Sequence, residues 1–132
     1  MEQVFGPHVT VDASKCDFEK LAGRQVVFDI LNELPELLNM TKIMEPHIIE
    51  WVDKFATNPG YSGFVMIAES HISVHTFPDQ DYVFIDIFSC RPFDTEAAID
   101  YLVKAFGAKK VTTNIVKRGI NFDRNACRVS TK

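Results

Sequence analysis

At 132 residues, with 46% apolar and 24% charged positions, the chain is long enough for one hydrophobic core and too short for two. Its formal charge of −4 and the lack of a basic stripe exclude the phosphate-neutralising surface of a nucleic-acid binder. No apolar run approaches the roughly 20 residues that cross a bilayer, and the start MEQVFGPH has neither the basic end nor the apolar stretch of a signal peptide, so a cytoplasmic location without membrane attachment is expected.

In chain order, the alternation from His8 to Ala13 predicts a first strand. Val27, Ile30, Leu31, Leu34, Leu37 and Leu38 recur at helical spacing and predict a helix from about Arg24 to Asn39. Pro35 lies inside that run, so a kink or a short second turn is expected. Ile43 to Val52 reads as a strand interrupted by Pro46, which places it near a sheet edge. Asn58-Pro59-Gly60 supplies turn chemistry in a loop over 54–61. Three β-rich stretches follow, 63–68, 71–77 and 82–88, the last two joined by a turn at 78–81. Asp94 is a suitable N-cap for a helix running to Phe106, and Gly107 stands just past its end. A last strand, 111–116, precedes a polar tail expected to be loosely ordered.

This order predicts an α+β two-layer sandwich over 1–132, a single domain in which a mostly antiparallel sheet carries helices on one face. The stretches 63–68 and 82–88 are apolar on both sides. Part of the second face is therefore expected to be covered by a partner subunit. Cys16, Cys90 and Cys127 are odd in number and far apart, which suggests neither a disulfide framework nor a zinc site, and no metal is expected.

The segment Ala68-Glu69-Ser70-His71-Ile72-Ser73-Val74-His75-Thr76-Phe77-Pro78-Asp79 holds two serines, two histidines and two carboxylates on a predicted strand and turn. Alternation puts His71, Ser73 and His75 on one side, with Ser70 at a junction between strand segments. Such residues on a half-exposed strand are usually no more than a solvated face. A Ser–His–acid hydrolase fits poorly, because no Gly-x-Ser-x-Gly elbow surrounds Ser70.

This segment closely resembles the cleavage-site motif of bacterial and archaeal S-adenosylmethionine decarboxylases. Agreement extends to Tyr61-Ser62-Gly63 before it, to Asp86-Ile87-Phe88-Ser89-Cys90 after it, and to Gly6-Pro7-His8 near the start. The resemblance implies a proenzyme that cuts itself between Glu69 and Ser70, giving a β chain 1–69 and an α chain 70–132. The Ser70 hydroxyl attacks the Glu69 carbonyl carbon, the resulting ester is eliminated as a base removes the Ser70 Cα proton, and the dehydroalanine left behind tautomerises to an imine that water hydrolyses, releasing ammonia and leaving a pyruvoyl group at the new terminus. It further implies that His75 assists processing, that Ser62 supports its tetrahedral intermediate, and that Cys90 later protonates the substrate carbon. Imidazole titrates near neutrality, hydroxyls donate to developing oxyanions, and a thiol with an ordinary pKa near ~8.5 still carries its proton at pH 7.

Phe77 and, less directly aligned, Phe55 match aromatic positions that stack adenine in the family. Asp79 stands where a carboxylate holds the ribose, although the family usually has Glu there. The implied product feeds polyamine (spermidine) synthesis, and the implied assembly is a homodimer. Because Asp is a methylene shorter than Glu, a pyruvoyl-dependent arginine or ornithine decarboxylase on the same fold stays open as an alternative. So does a non-catalytic, unprocessed dimeric domain, against which stands the joint presence of Ser62, Glu69, Ser70, His75 and Cys90.

Overall fold

The computed structural model describes residues 3–128. The first two residues of the start considered above for a signal peptide, and the last four of the polar tail, lie outside them. The chain runs β1 (Gly6–Ser14), α1 (Phe18–Leu21), α2 (Arg24–Leu37), β2 (His47–Trp51), β3 (Gly60–Ile67), β4 (Ser70–Phe77), a 3-10 turn (Pro78–Gln80), β5 (Tyr82–Phe88), α3 (Thr95–Phe106) and β6 (Lys110–Arg118). The six strands pair antiparallel in the order β2-β3-β4-β5-β1-β6.

Alternation in the central strands divides the sheet into two unlike faces. Val9, Val11, Val65, Ile72, Val74, Ile85 and Ile87 point to one side and are almost fully buried. They meet the apolar stripe of α2 (Val27, Ile30, Leu31, Leu34) and, from α3, Ala98, Leu102 and Phe106. Full burial of each Val, Leu, Ile or Phe side chain stabilises the fold by about 1.5–3 kcal/mol, so this layer accounts for the helix positions. The two-layer α+β sandwich with its antiparallel sheet is as the sequence pattern requires.

Among the described residues, no helix lies over the other face. Ile49, Phe64, Met66, Phe77 and Phe84 all stand exposed there, alongside polar residues from the same strands. No helix among the described residues is long and apolar enough to cross a membrane.

Local differences from the expected elements have simple causes. Pro35 sits in the last turn of one continuous helix, so its missing N–H and its ring disturb a single i−4 hydrogen bond at the end of the helix and no turn beyond it. The edge strand starts only after Pro46, at His47. Asp94 caps α3 by accepting from the Ala97 N–H at 3.0 Å, and Gly107 ends it at φ 61°. The short helix α1 carries too few residues for a periodic signal. The described part of the tail is not loose. Asn121 N–H donates to Gln3 O at 2.7 Å, and the Phe122 ring meets Phe5 edge-on at 5.0 Å.

Candidate active site

Strand β4 carries the resemblance-derived residues at two separate ends. At its start, Ala68 and Glu69 turn the chain from β3 into β4, opposite Ile67 and Ser70 in register. Ser70 is 9% exposed and shares the covered face with Ile72 and Val74. Cys90 follows β5, whose Phe88 pairs with His71, and this register carries the thiol back to the turn. Its Sγ donates to Ala68 O at 3.5 Å. The sequence places Cys90 some twenty positions after Ser70; the β4–β5 hairpin brings it to the Glu69–Ser70 junction.

At the other end, Ser62 on β3 pairs directly with His75 on β4. The Ser62 Oγ and His75 Nδ1 are 2.8 Å apart on the open face, which fixes the ring and leaves the second ring nitrogen for proton exchange. Just beyond lies a cleft of about 110 Å³ whose lining includes Trp51, Asn58, Ser62, Phe77 and Asp79. Phe77 stands edge-on to Phe84 at 5.6 Å. Trp51 is the aromatic that sequence reading missed. It is 69% exposed at the end of an edge strand, and its only signal was being the single tryptophan.

Asp79 binds its own loop. Its Oδ1 accepts from the Asn58 side-chain amide at 2.8 Å, and its Oδ2 accepts from the Thr57 N–H at 2.7 Å and the Asn58 N–H at 3.4 Å. The Asn58 amide above all, then the Thr57 N–H, holds its pKa below the ordinary carboxylate value. Oδ2 thus has both lone pairs engaged, while Oδ1 retains one. Phe55 is 84% exposed, touched by Lys54 Nζ at 5.0 Å from its ring, and it is not part of the cleft wall.

Between the two ends runs a polar row that joins His71 and Ser73 to residues from other strands. Asp86 Oδ2 accepts from Ser73 Oγ at 3.0 Å, while Oδ1 lies 3.4 Å from His8 Nε2 and 3.5 Å from His71 Nε2. Arg118 stands 2.8 Å from His8 Nδ1. A guanidinium can only donate, so His8 Nδ1 accepts and the ring proton sits on Nε2, toward Asp86.

The separation of the two ends is decisive. Ser70 and His75 are five residues apart on an extended strand, or about 16 Å at ~3.3 Å per residue. General acid–base chemistry needs hydrogen-bond reach, or one intervening water. One protomer therefore does not bring all of its candidate residues together.

A two-layer sandwich of this form matches a solved structure, the adenosylmethionine decarboxylase of Aquifex aeolicus, with a TM-score of 0.77 over 96% of this chain and 99% of that one at 24% identity; this likeness defines the fold class. The sequence profile of S-adenosylmethionine decarboxylase matches residues 7–119. Proteins named S-adenosylmethionine decarboxylase proenzyme are 35% identical in Thermococcus gammatolerans, over 92% of this chain and 81% of that protein. The corresponding protein of Clostridium botulinum is also 35% identical, over 86% of this chain and 94% of its own length. The chain belongs to the S-adenosylmethionine decarboxylase family.

Proposed function

We propose that this chain is an S-adenosylmethionine decarboxylase proenzyme that cleaves itself at Glu69–Ser70 and works as a cytoplasmic homodimer whose sites are each shared between two protomers. The observation that carries the reading is the approach of the Cys90 thiol to the turn that holds Glu69 and Ser70, with Sγ 3.5 Å from Ala68 O. The names of the relatives favour an adenosyl substrate over arginine or ornithine.

In the processing step the Ser70 hydroxyl oxygen bonds to the Glu69 carbonyl carbon as the C–N bond breaks, so the acyl group moves from nitrogen to oxygen. The hydroxyl proton passes to the freed amine. Ser62, aligned by its 2.8 Å contact with His75, donates to the oxyanion of the tetrahedral intermediate. His75 takes the Ser70 Cα proton in the elimination that follows. Because His75 and Ser70 of one chain lie about 16 Å apart, the imidazole and hydroxyl that act are those of the partner subunit.

The residues at the turn fit a pyruvoyl group derived from Ser70, since Ser70 heads a strand and the Cys90 thiol faces Ala68 O, one peptide before the scissile carbonyl, at 3.5 Å. That group supplies an electron sink for loss of carbon dioxide. Cys90 then delivers its proton to the substrate α carbon. Phe77 offers its face to the adenine and to the sulfonium, and Trp51 lines the same cleft. The free lone pair of Asp79 Oδ1 accepts from a ribose hydroxyl. Phe55 is well placed only to close over a bound nucleoside from the adjoining loop.

A two-fold axis through the open face completes this arrangement. Antiparallel superposition of the two faces sets the Ser70–Cys90 end of each protomer over the Ser62–His75 end of the other. It also covers Phe64, Met66 and Phe84, which are 40–47% exposed in one chain.

Intact-mass measurement of purified protein, with decarboxylation of carboxyl-labelled S-adenosylmethionine, arginine and ornithine run in parallel, tests the whole reading. Two fragments meeting at Glu69/Ser70 and release from S-adenosylmethionine alone are expected. One uncut chain after prolonged incubation, or release from a basic amino acid instead, overturns it.

A further inference from the structure

The match to the family stops at residue 119, yet the chain beyond it is built into the Cys90 end of the site. Strand β6 ends at Arg118, and Gly119 turns the backbone at φ 74°, where a Cβ would stand 2.5 Å from the Phe5 Cβ. Only glycine permits both the left-handed turn and that approach. The tail then folds over the N-terminal segment. Asn121 N–H donates to Gln3 O at 2.7 Å, Phe122 N–H donates to Gly119 O at 3.0 Å, and the Phe122 ring packs edge-on against Phe5. Asp123 closes a local turn by accepting from the Asn125 N–H at 2.9 Å.

These contacts aim one side chain inward. The Arg124 guanidinium donates to Phe5 O and to Cys90 O, and lies over the Phe5 ring with its carbon 5.1 Å from the centroid. The backbone on either side of Cys90 is held as well. Ser89 N–H donates to Pro7 O at 3.0 Å, Ser89 Oγ donates to Arg91 O at 2.6 Å, and a Cβ on Gly6 would lie 1.9 Å from Ser89 O. A cleft of about 360 Å³ between the N-terminal segment, Arg91 and Arg124 leaves room for the Cys90 loop to move if the guanidinium is removed.

We propose that Arg124 is a positioning residue for the Cys90 thiol: by binding the Cys90 carbonyl it fixes that peptide plane, and so holds Sγ toward the Ala68–Ser70 turn. The inference rests on the reading of Cys90 as the general acid. It adds that a residue outside the family-matched region sets the accuracy of proton delivery. A charge-assisted hydrogen bond to a carbonyl is directional and strong, and misplacing a reacting group by about 1 Å costs up to ~10² in rate.

Three variants test this in the dimeric, processed enzyme: Arg124→Ala, Arg124→Lys and, as reference, Cys90→Ala. Arg124→Ala is expected to cleave at the wild-type rate and keep its KM. Its kcat should fall by about tenfold to a hundredfold. It should also complete fewer turnovers before inactivation, because a misplaced thiol lets the proton reach the wrong carbon. Arg124→Lys keeps the charge but lacks the planar fork and should recover part of the loss.

A second readout does not depend on activity. In a Ser70→Ala, Cys127→Ser background, which stays uncut, alkylation reports on Cys90, because burial pushes the Cys16 thiol up to about 11 and silences it. The Cys90 alkylation rate should rise severalfold in Arg124→Ala as the loop loosens. If Cys90→Ala is inactive while Arg124→Ala keeps wild-type kcat, turnover number and alkylation rate, the positioning role is wrong and the acid assignment stands. If Cys90→Ala is itself fully active, the underlying reading fails instead. A lower melting temperature with kcat and turnover number unchanged marks a merely structural clasp and likewise overturns the proposal.

Discussion

The two ends of β4 are made of different materials. At its start, Ser70 is largely buried and Cys90 is only partly open, so that end consists of backbone, a hydroxyl and a thiol held close to a turn. At its finish, Ser62, His75, Phe77 and Asp79 stand around an open cleft with aromatic and ionic character. One end suits a reaction on the chain's own peptide bond, and the other suits recognition of a nucleoside and movement of protons. The contrast teaches that a strand orders residues well but holds them apart. A site that needs both ends must fold the strand or borrow from a second copy, and the uncovered apolar face favours the second.

The largest expected effect is at the turn. Ser70→Ala should remain one chain on a denaturing gel and show no decarboxylation above background, because nothing remains to attack the Glu69 carbonyl. Next comes a direct attack on the shared-site geometry. Ser70→Ala and His75→Ala, each inactive alone, should regain about a quarter of wild-type activity when co-expressed, since half of the dimers are mixed and each mixed dimer has one site with both ends intact. Activity no higher than the parents would put the whole site back in one protomer.

Cys90→Ala separates the ends in time. It should still cleave, while decarboxylation falls by roughly 10² to 10⁴ as expected for loss of a general acid, and turnover should inactivate the enzyme. Asp79→Asn should act more mildly, raising KM severalfold with kcat nearly kept, since it weakens both the loop anchor and the ribose contact. Its pH dependence has a defined sign. The folded pKa lies below the ordinary 3.8, so the anchoring is complete above that value and is lost only as pH falls through the lower folded value. A KM that rises between pH 8 and 6 in wild type but not in Asp79→Asn would contradict this. Smallest of all, Phe55→Ala should change KM by no more than about twofold, because an exposed ring with a single cation neighbour orders little surface.

Most of the fold was legible because it rests on local periodicity. The alternation in 71–77 and 82–88 and the 3.6-residue spacing around Val27, Ile30, Leu31 and Leu34 each state which face is covered. Pro46 marked the edge strand for a local reason too, as its missing N–H bars it from a central ladder. What periodicity could not reveal was the tail, where the Phe122 and Arg124 contacts reach back more than a hundred positions to Phe5. Trp51 and the Asp86 cluster were missed for the same reason. Asp86 reads as one polar position in a strand until β1 and β4 bring His8 and His71 to the same carboxylate oxygen.

By itself, the sequence determined the strand and helix order, the two-faced sheet and the chemical identities of Glu69, Ser70, His75 and Cys90, because these depend on neighbouring residues and on motif resemblance. Only the tertiary structure decided which of them meet. Register across β4 and β5 carried Cys90 to the turn, and register across β3 and β4 joined Ser62 to His75. The fixed rise of an extended strand kept those two groups apart, a distance that no motif spacing written in residue numbers displays.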